Sequence, residues 1–240
     1  MSVSAGHAVA GVRRSPVVDI LGRAWYSAAR LLVALALHVV FRLEVEGREN
    51  IPERGPVILA SNHSSYLDPP VVGVGCPRKV YFMAKKELFS SRPIGALLGS
   101  LGGFAVARGS ADRKALRTAR RLLDDGEVLG IFPEGERGSG SPGKGEAGAA
   151  WLSIVTGSPV VPVAVIGTAG TMANGFLSFR PRRIKVRFGP PILPEDLSEG
   201  SCPDGRRPAA GNSRPRERMT LMVMREVSRL VGREEECSVL

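Results

Sequence analysis

Apolar and polar positions alternate along this chain in two distinct periods, and the elements follow from where one period gives way to the other. From Ala24 to Phe41 the sequence is almost wholly apolar, interrupted by Arg30 and His38, and it predicts a helix over about residues 20–41. Arg42-Leu43-Glu44-Val45-Glu46 then alternates residue by residue, the mark of an edge strand. Short apolar runs predict buried strands at 56–60, 79–84, 103–107, 127–132, 160–166 and 183–188. Helical spacing fills the gaps at about 69–75, 93–101, 110–125 and 144–157. Strands that alternate with helices give an α/β fold, a mixed and largely parallel central sheet flanked by helices. Pro162, inside the run Val160–Ile166, predicts an edge position or irregular pairing for that strand. Residues 197–216, rich in Gly, Pro, Ser and Arg, read as a flexible linker. A last helix at about 217–232 lines up Met219, Met222, Val223, Val227, Leu230 and Val231 on one stripe, a core-packing face. The chain thus divides into an N-terminal segment (1–41), an α/β core (42–196), a linker (197–216) and a C-terminal helix and tail (217–240).

Charge narrows the partners. The 240 residues carry 33 Lys and Arg against 23 Asp and Glu, a net charge of +10, which calls for an anionic partner. Aromatic residues make up only 5% of the chain, and no aromatic-rich basic strand offers base stacking. Nucleic acid therefore gives way to a phospholipid surface or a phosphorylated substrate. Cys76, Cys202 and Cys237 are far apart and odd in number; they fit a reducing compartment and form neither a disulfide framework nor a zinc cluster. Residues 1–19 lack the compact apolar core of a cleavable signal. In Ala24–Phe41, Trp25 and Tyr26 lie beside Arg23 and Arg30, as in a helix lying in the headgroup region. A spanning helix wants about 20 predominantly apolar residues, and Arg30 and His38 are costly at that depth. The expectation is a monotopic or peripheral attachment to the cytoplasmic face of the cell membrane. The basic stripe Arg113, Arg117, Arg120 and Arg121, opposite Leu116, Ala119 and Leu123, is a solvated face that would add attraction to an anionic bilayer.

Three strand ends carry candidate chemistry. Asn62-His63-Ser64-Ser65-Tyr66-Leu67-Asp68 follows the apolar run 56–60. Of three histidines in the chain, His7 lies in the N-terminal tail and His38 in an apolar run. His63 has a strand end before it, small polar residues around it and an acid nearby, the setting of a general base. In a continuous helix five residues rotate a side chain by about 140°, so His63 and Asp68 can meet only if His63 stays in the loop while Asp68 opens the helix. A plainer reading makes Asp68 an N-cap with Pro69 at the first helical position. Ile131-Phe132-Pro133-Glu134-Gly135-Glu136-Arg137-Gly138 projects charged groups from a strand end, where α/β sites lie. Arg137 offers a fork for phosphate, and Glu134 could order that arginine or a substrate hydroxyl. Gly102–Gly109 is a further short apolar strand, ending at Arg108. The stretch Gly138–Lys144 has the spacing of a phosphate-binding loop, but Gly145 stands where a magnesium-binding Ser or Thr belongs and Pro142 removes an N–H. No Gly-x-Ser-x-Gly elbow occurs, and the scattered His and Cys leave a metal hydrolase without ligands.

The segments Asn-His-Ser-Ser-Tyr-Leu-Asp (62–68), Gly-Phe-Ala-Val-Ala-Arg (103–108), Phe-Pro-Glu-Gly-Glu-Arg (132–137) and Val-Pro-Val-Ala-Val-Ile-Gly (161–167) resemble the four ordered blocks of glycerolipid acyltransferases. Bacterial 1-acylglycerol-3-phosphate acyltransferases are the nearest match, over about residues 40–190. Lys85-Lys86-Glu87-Leu88 and Lys144-Gly145 also fit. The resemblance implies transfer of an acyl group from acyl-CoA or an acyl-carrier protein to a lysophospholipid acceptor, with no metal or other cofactor. It makes His63 the base and Asp68 its orienting acid. It assigns Arg108, Arg137 and Lys85 to the acceptor's phosphate, with Glu134 and Gly135 in the same substrate-binding turn. One position departs from the pattern: Glu136 stands where the family usually has Thr. An added carboxylate beside a phosphate arginine weakens binding of an anionic headgroup. The acceptor thus stays open between 1-acylglycerol-3-phosphate and glycerol-3-phosphate, another lysophospholipid or a glycolipid. A non-catalytic membrane-binding module is the reading from another class.

Overall fold

Seven strands form one sheet: β1 (Glu44–Glu46), β2 (Val57–Ser61), β3 (Val80–Lys85), β4 (Gly103–Val106), β5 (Val128–Ile131), β6 (Val160–Ile166) and β7 (Lys185–Phe188). Among the described residues six α-helices accompany them: α1 (Pro16–Phe41), α2 (Asp68–Gly75), α3 (Arg92–Ser100), α4 (Arg113–Asp124), α5 (Gly148–Thr156) and α6 (Pro215–Cys237). The computed structural model describes residues 16–107, 112–135, 145, 147–169, 171, 182–197 and 215–237. The strand order is β1-β7-β6-β2-β5-β3-β4, and every neighbouring pair is parallel except β6 with β7. The mixed, largely parallel sheet expected from the sequence is therefore present.

The order of strands fixes the layers. The chain moves outward from β2 through β3 to β4, then returns through β5 to β6. Right-handed crossovers put α2 and α3 on one face and α4 and α5 on the other. The packing agrees. Val57 and Leu59 of β2 join Val71, Val72 and Val74 of α2 and Leu37 and Phe41 of α1 in one core. Ile58 and Ala60 join Ala119 and Leu123 of α4, Leu152 of α5, and Met219, Val223 and Val227 of α6 in the other. With both faces covered, β2 is buried along its whole length, as its unbroken apolar run requires.

Some expectations need correction. β6 is an interior strand between β2 and β7 despite Pro162. The pairing of β6 with β7 runs from Ile166 opposite Lys185 to Val163 opposite Phe188. Pro162 therefore stands one residue past the end of β7. Its carbonyl accepts from Gly189 N (2.8 Å), and the N–H it lacks falls in the gap between that ladder and the separate bridge of Val160 with Ile192, so the irregular pairing expected as the alternative to an edge is present. Asp68 is the first residue of α2, with Leu67 in the capping position and no side-chain cap. Arg30 donates to the carbonyls of Val74 (3.1 Å) and Cys76 (2.5 Å), and Arg48 Nε donates to Gly75 O (2.8 Å). The arginine expected among headgroups thus ties α1 to the C-terminal end of α2. The basic stripe of α4 lies on the layer opposite α1, so the two do not form one surface. Most of the expected linker (198–214) and the stretch 138–144 lie outside the described residues.

Candidate active site

Strands β2 to β6, all parallel, deliver their carboxyl ends to one edge of the sheet, where open α/β sheets bind ligands. At the end of β2 the buried Asn62 replaces a backbone pair. Its Nδ2 donates to Val165 O (2.9 Å) and its Oδ1 accepts from Val165 N (2.8 Å). Both polar ends of a buried amide are thereby satisfied, and the chain is locked to β6 one residue before His63.

His63 stays in the loop and Asp68 opens the helix. Asp68 Oδ2 accepts from His63 Nδ1 (2.9 Å), Ser64 N (2.7 Å) and Ser65 N (2.8 Å). The carboxylate therefore turns back into the loop instead of capping its own helix. The carboxylate oxygen accepts, so Nδ1 carries the hydrogen and Nε2 is left with a lone pair able to take a proton. Asp68 is fully buried, while about 10% of the His63 side chain remains exposed. Asp68 Oδ1 is also buried and has no hydrogen-bond partner among the described residues. Ser64 Oγ lies 3.0 Å from Thr168 Oγ1, joining the loop to the second residue after β6.

The imidazole is held on its face as well. Phe132, directly after β5, stacks on His63 with ring centroids 4.2 Å apart and planes 25° apart. Phe82 of β3 lies 6.0 Å beyond Phe132, its plane tilted 15°. Gly130 makes room for this column: a Cβ there would fall 2.2 Å from Phe82 Cε1. Phe132 stands in a quoted strand-end motif and Gly130 in the apolar run before it, yet the sequence gives no signal of their role. Only the adjacency of β2 and β5 brings that ring to the histidine.

Among the remaining expected site residues, Glu134 and Gly135 follow Phe132 in a turn closed by Gly135 N donating to Phe132 O (3.1 Å). Gly135 has φ +68°, a left-handed conformation that costs glycine little, and Pro133 presets the turn. Glu134 is half-buried beside the dyad's edge of the sheet, and its Oε1 is shielded from solvent. Lys85 ends β3 at the same edge and is exposed, but β5 separates its strand from β2. Arg108, Glu136 and Arg137 lie outside the described residues.

A buried acid holding one imidazole nitrogen, with the ring clamped and its other nitrogen unused, is an arrangement for moving a proton. The family model described as Acyltransferase matches residues 42–166, which contain the whole of this arrangement. A 1-acyl-sn-glycerol-3-phosphate acyltransferase of Bacillus subtilis (strain 168) is 33% identical over 171 residues, 69% of this chain and 83% of that protein. The 1-acyl-sn-glycerol-3-phosphate acyltransferase alpha of Bos taurus is 28% identical over 221 residues, 89% of this chain and 74% of that protein. The crystal structure of the 1-acyl-sn-glycerophosphate (LPA) acyltransferase PlsC from Thermotoga maritima superposes with a TM-score of 0.65 at 25% identity, covering 91% of this chain and 88% of that one. Fold, strand-end motifs and sequence relationship agree, and the chain belongs to the Acyltransferase family: it is an acyltransferase.

Proposed function

We propose that the protein acylates 1-acylglycerol-3-phosphate to phosphatidic acid at the cytoplasmic face of the membrane, taking the acyl group from acyl-CoA or acyl-carrier protein. The observation that carries this reading is the buried His63–Asp68 pair at 2.9 Å, set at the carboxyl edge of the sheet in a chain whose relatives bear that activity in their names. In the reaction His63 Nε2 takes the proton of the acceptor hydroxyl while its oxygen attacks the thioester carbonyl. The tetrahedral intermediate collapses with cleavage of the C–S bond, and the leaving thiolate receives the proton from the imidazolium. Asp68 holds the tautomer and stabilises the imidazolium as it forms. Arg108, Arg137 and Lys85 bind the acceptor's phosphate through charge-assisted bonds, and the Glu134–Gly135 turn orders them or a glycerol hydroxyl. A thioester is already activated, so the residues named suffice for the proton and charge movements.

The test is acyl transfer by purified protein with labelled acyl-CoA or acyl-carrier protein and a panel of acceptors: 1-acylglycerol-3-phosphate, glycerol-3-phosphate and other lysophospholipids. His63→Ala is expected to lower turnover by about 10²–10⁴-fold, the usual share of general-base catalysis, and Asp68→Asn to impair it by loosening the imidazole. Near wild-type turnover in a folded His63→Ala sample would rule out this mechanism. Glu136 supports a second reading, a less anionic acceptor, because its carboxylate repels phosphate. Preference for an acceptor without the phosphomonoester, shifted back by Glu136→Thr, would establish it.

A further inference from the structure

Helix α3 is a nine-residue helix, and none of its residues is buried. It nevertheless carries Ile94 and Leu97, 50% and 48% exposed. The 3₁₀ turn that precedes it, Lys86–Phe89, also buries nothing and exposes Leu88. An isolated helix of this length is marginal in water. Its inner side half-buries only Gly95 and Leu98, little of the packing that normally maintains short helices in proteins. The surrounding geometry is nonetheless fixed. A Cβ on Gly95 would approach the Phe89 backbone at 3.1 Å, so turn and helix close tightly on each other. Trp25 Nε1 of α1 donates to Ser100 Oγ (3.1 Å), joining α3 to the apolar helix. The Lys79 ammonium lies 4.9 Å from both the Tyr26 and the Tyr81 rings.

We infer that α3 and its leading turn are a second membrane-contacting element, which meets an anionic phospholipid bilayer together with α1 and carries that contact to the carboxyl edge of the sheet. This rests on the reading of the protein as a membrane-bound lipid acyltransferase. Helices α1 and α3 share one layer, and the apolar window of α1 is only 11% buried. Leu97 and Ile94 lie one and two turns from Ser100 and continue the exposed surface of Trp25 and Leu21 along α3. The exposed cations Lys86 and Arg92 stand at the far end, where they reach anionic headgroups. Aromatic rings beside a cation at the joint have the composition of a bilayer interface. The surface ends at Leu88, three residues after β3 reaches the edge that holds His63. A lipid acceptor in the leaflet is thereby brought to the site with its acyl chain still in the bilayer.

The experiment uses the full chain with Trp25→Phe and Trp151→Phe, which removes both tryptophans, and then adds Leu97→Trp, Ile94→Trp or, as a control on the opposite layer, Arg117→Trp. Each protein is bound to phosphatidylcholine–phosphatidylglycerol vesicles with ordinary or brominated acyl chains. Emission from Leu97→Trp and Ile94→Trp is expected to shift to the blue and lose most of its intensity in brominated vesicles, while that from Arg117→Trp stays unchanged. In the wild-type background, Ile94→Asn with Leu97→Asn should lower vesicle partition by roughly 10-fold or more with α1 intact. Equal emission in both kinds of vesicle from bound Leu97→Trp and Ile94→Trp overturns the inference. So does a dimer in solution that the paired Asn substitutions dissociate, because a second copy would then cover the face. No substrate is present, so the result stands apart from the acceptor assignment.

Discussion

The two helical layers cover the same sheet and obey opposite rules on their outer sides. In the layer of α4, α5 and α6, apolar residues point inward: Ala115, Ala119 and Leu123, Leu152, and Met219, Val223, Val227 and Leu230 are all buried. The exposed side of α4 carries Arg113, Lys114, Arg117, Arg120 and Arg121. In the layer of α1, α2 and α3, only α2 follows this pattern, burying Val71, Val72 and Val74. Helix α1 buries Leu37 and Phe41 near its end and leaves Leu21, Trp25, Leu31, Leu32, Leu35 and Val39 more than half exposed. Scattered exposed apolar residues are ordinary, but a contiguous run of this size marks an interaction surface. The inner faces of both layers answer to the sheet; the outer faces differ, charged along α4 and apolar along α1.

The sharpest way to break this contrast is to truncate one leucine on each side. Leu152 is fully buried, and Leu152→Ala should cost about 2–5 kcal/mol of stability through lost burial and the cavity left behind. Leu35 is 60% exposed, and Leu35→Ser should change stability by no more than about 0.5 kcal/mol while weakening vesicle binding. Urea unfolding in mild detergent and vesicle sedimentation read the two quantities separately. If Leu35→Ser proved as destabilising as Leu152→Ala, α1 would be packed like any core helix and the contrast would disappear.

A smaller effect tests how the apolar layer is attached. Arg30 reaches the carbonyls of Val74 and Cys76 at the C-terminal end of α2, where a cation also suits the helix dipole. Arg30→Ala should lower the unfolding free energy by about 1–2 kcal/mol. Arg30→Lys should recover part of this, since it keeps the charge but not the two-pronged reach. Unchanged stability in both variants would return Arg30 to the headgroups.

Much of this contrast was legible in the sequence, because burial on both faces leaves unbroken apolar runs. The strands at 57–61, 128–131 and 160–166 stand where those runs do, and the meeting of His63 with Asp68 follows from a loop that ends at a helix start. What was not legible depends on strand order. Nothing in the sequence places β5 beside β2, so the Phe132 ring on His63 and the space Gly130 leaves for Phe82 go unseen. Pro162 read as a sign of either an edge or irregular pairing; the sequence could not choose between them, because the end of the β7 ladder beside it is a matter of register. The basic stripe of α4 and the apolar helix α1 both read as membrane contacts. The handedness of the crossovers alone sends them to opposite layers.

The smallest prediction compares two aspartates at helix starts, one on each layer. Asp68 begins α2 and turns its carboxylate into the loop that holds His63. Asp112 stands before α4 and serves the helix itself. Its Oδ1 accepts from Lys114 N (2.9 Å) and Ala115 N (3.1 Å), and its Oδ2 accepts from Ala107 N (2.9 Å). The Ala107 amide, then that of Ala115, with lesser help from Lys114, holds the Asp112 carboxyl below its usual value. A folded-state pKa below the unfolded one means stability that is fully present above the unfolded value. It is lost as pH falls through the folded value. In Asp112→Asn the side-chain oxygen can still cap α4, since Asn caps about as well as Asp, but the charged acceptor for Ala107 is gone. The variant should therefore show a slightly lower urea midpoint than wild type at neutral pH. That gap should narrow as pH falls below the ordinary aspartate range of about 4. A gap that stays constant to acid pH would mean that the carboxylate works only as a neutral cap, and that its charge contributes nothing where β4 hands over to α4.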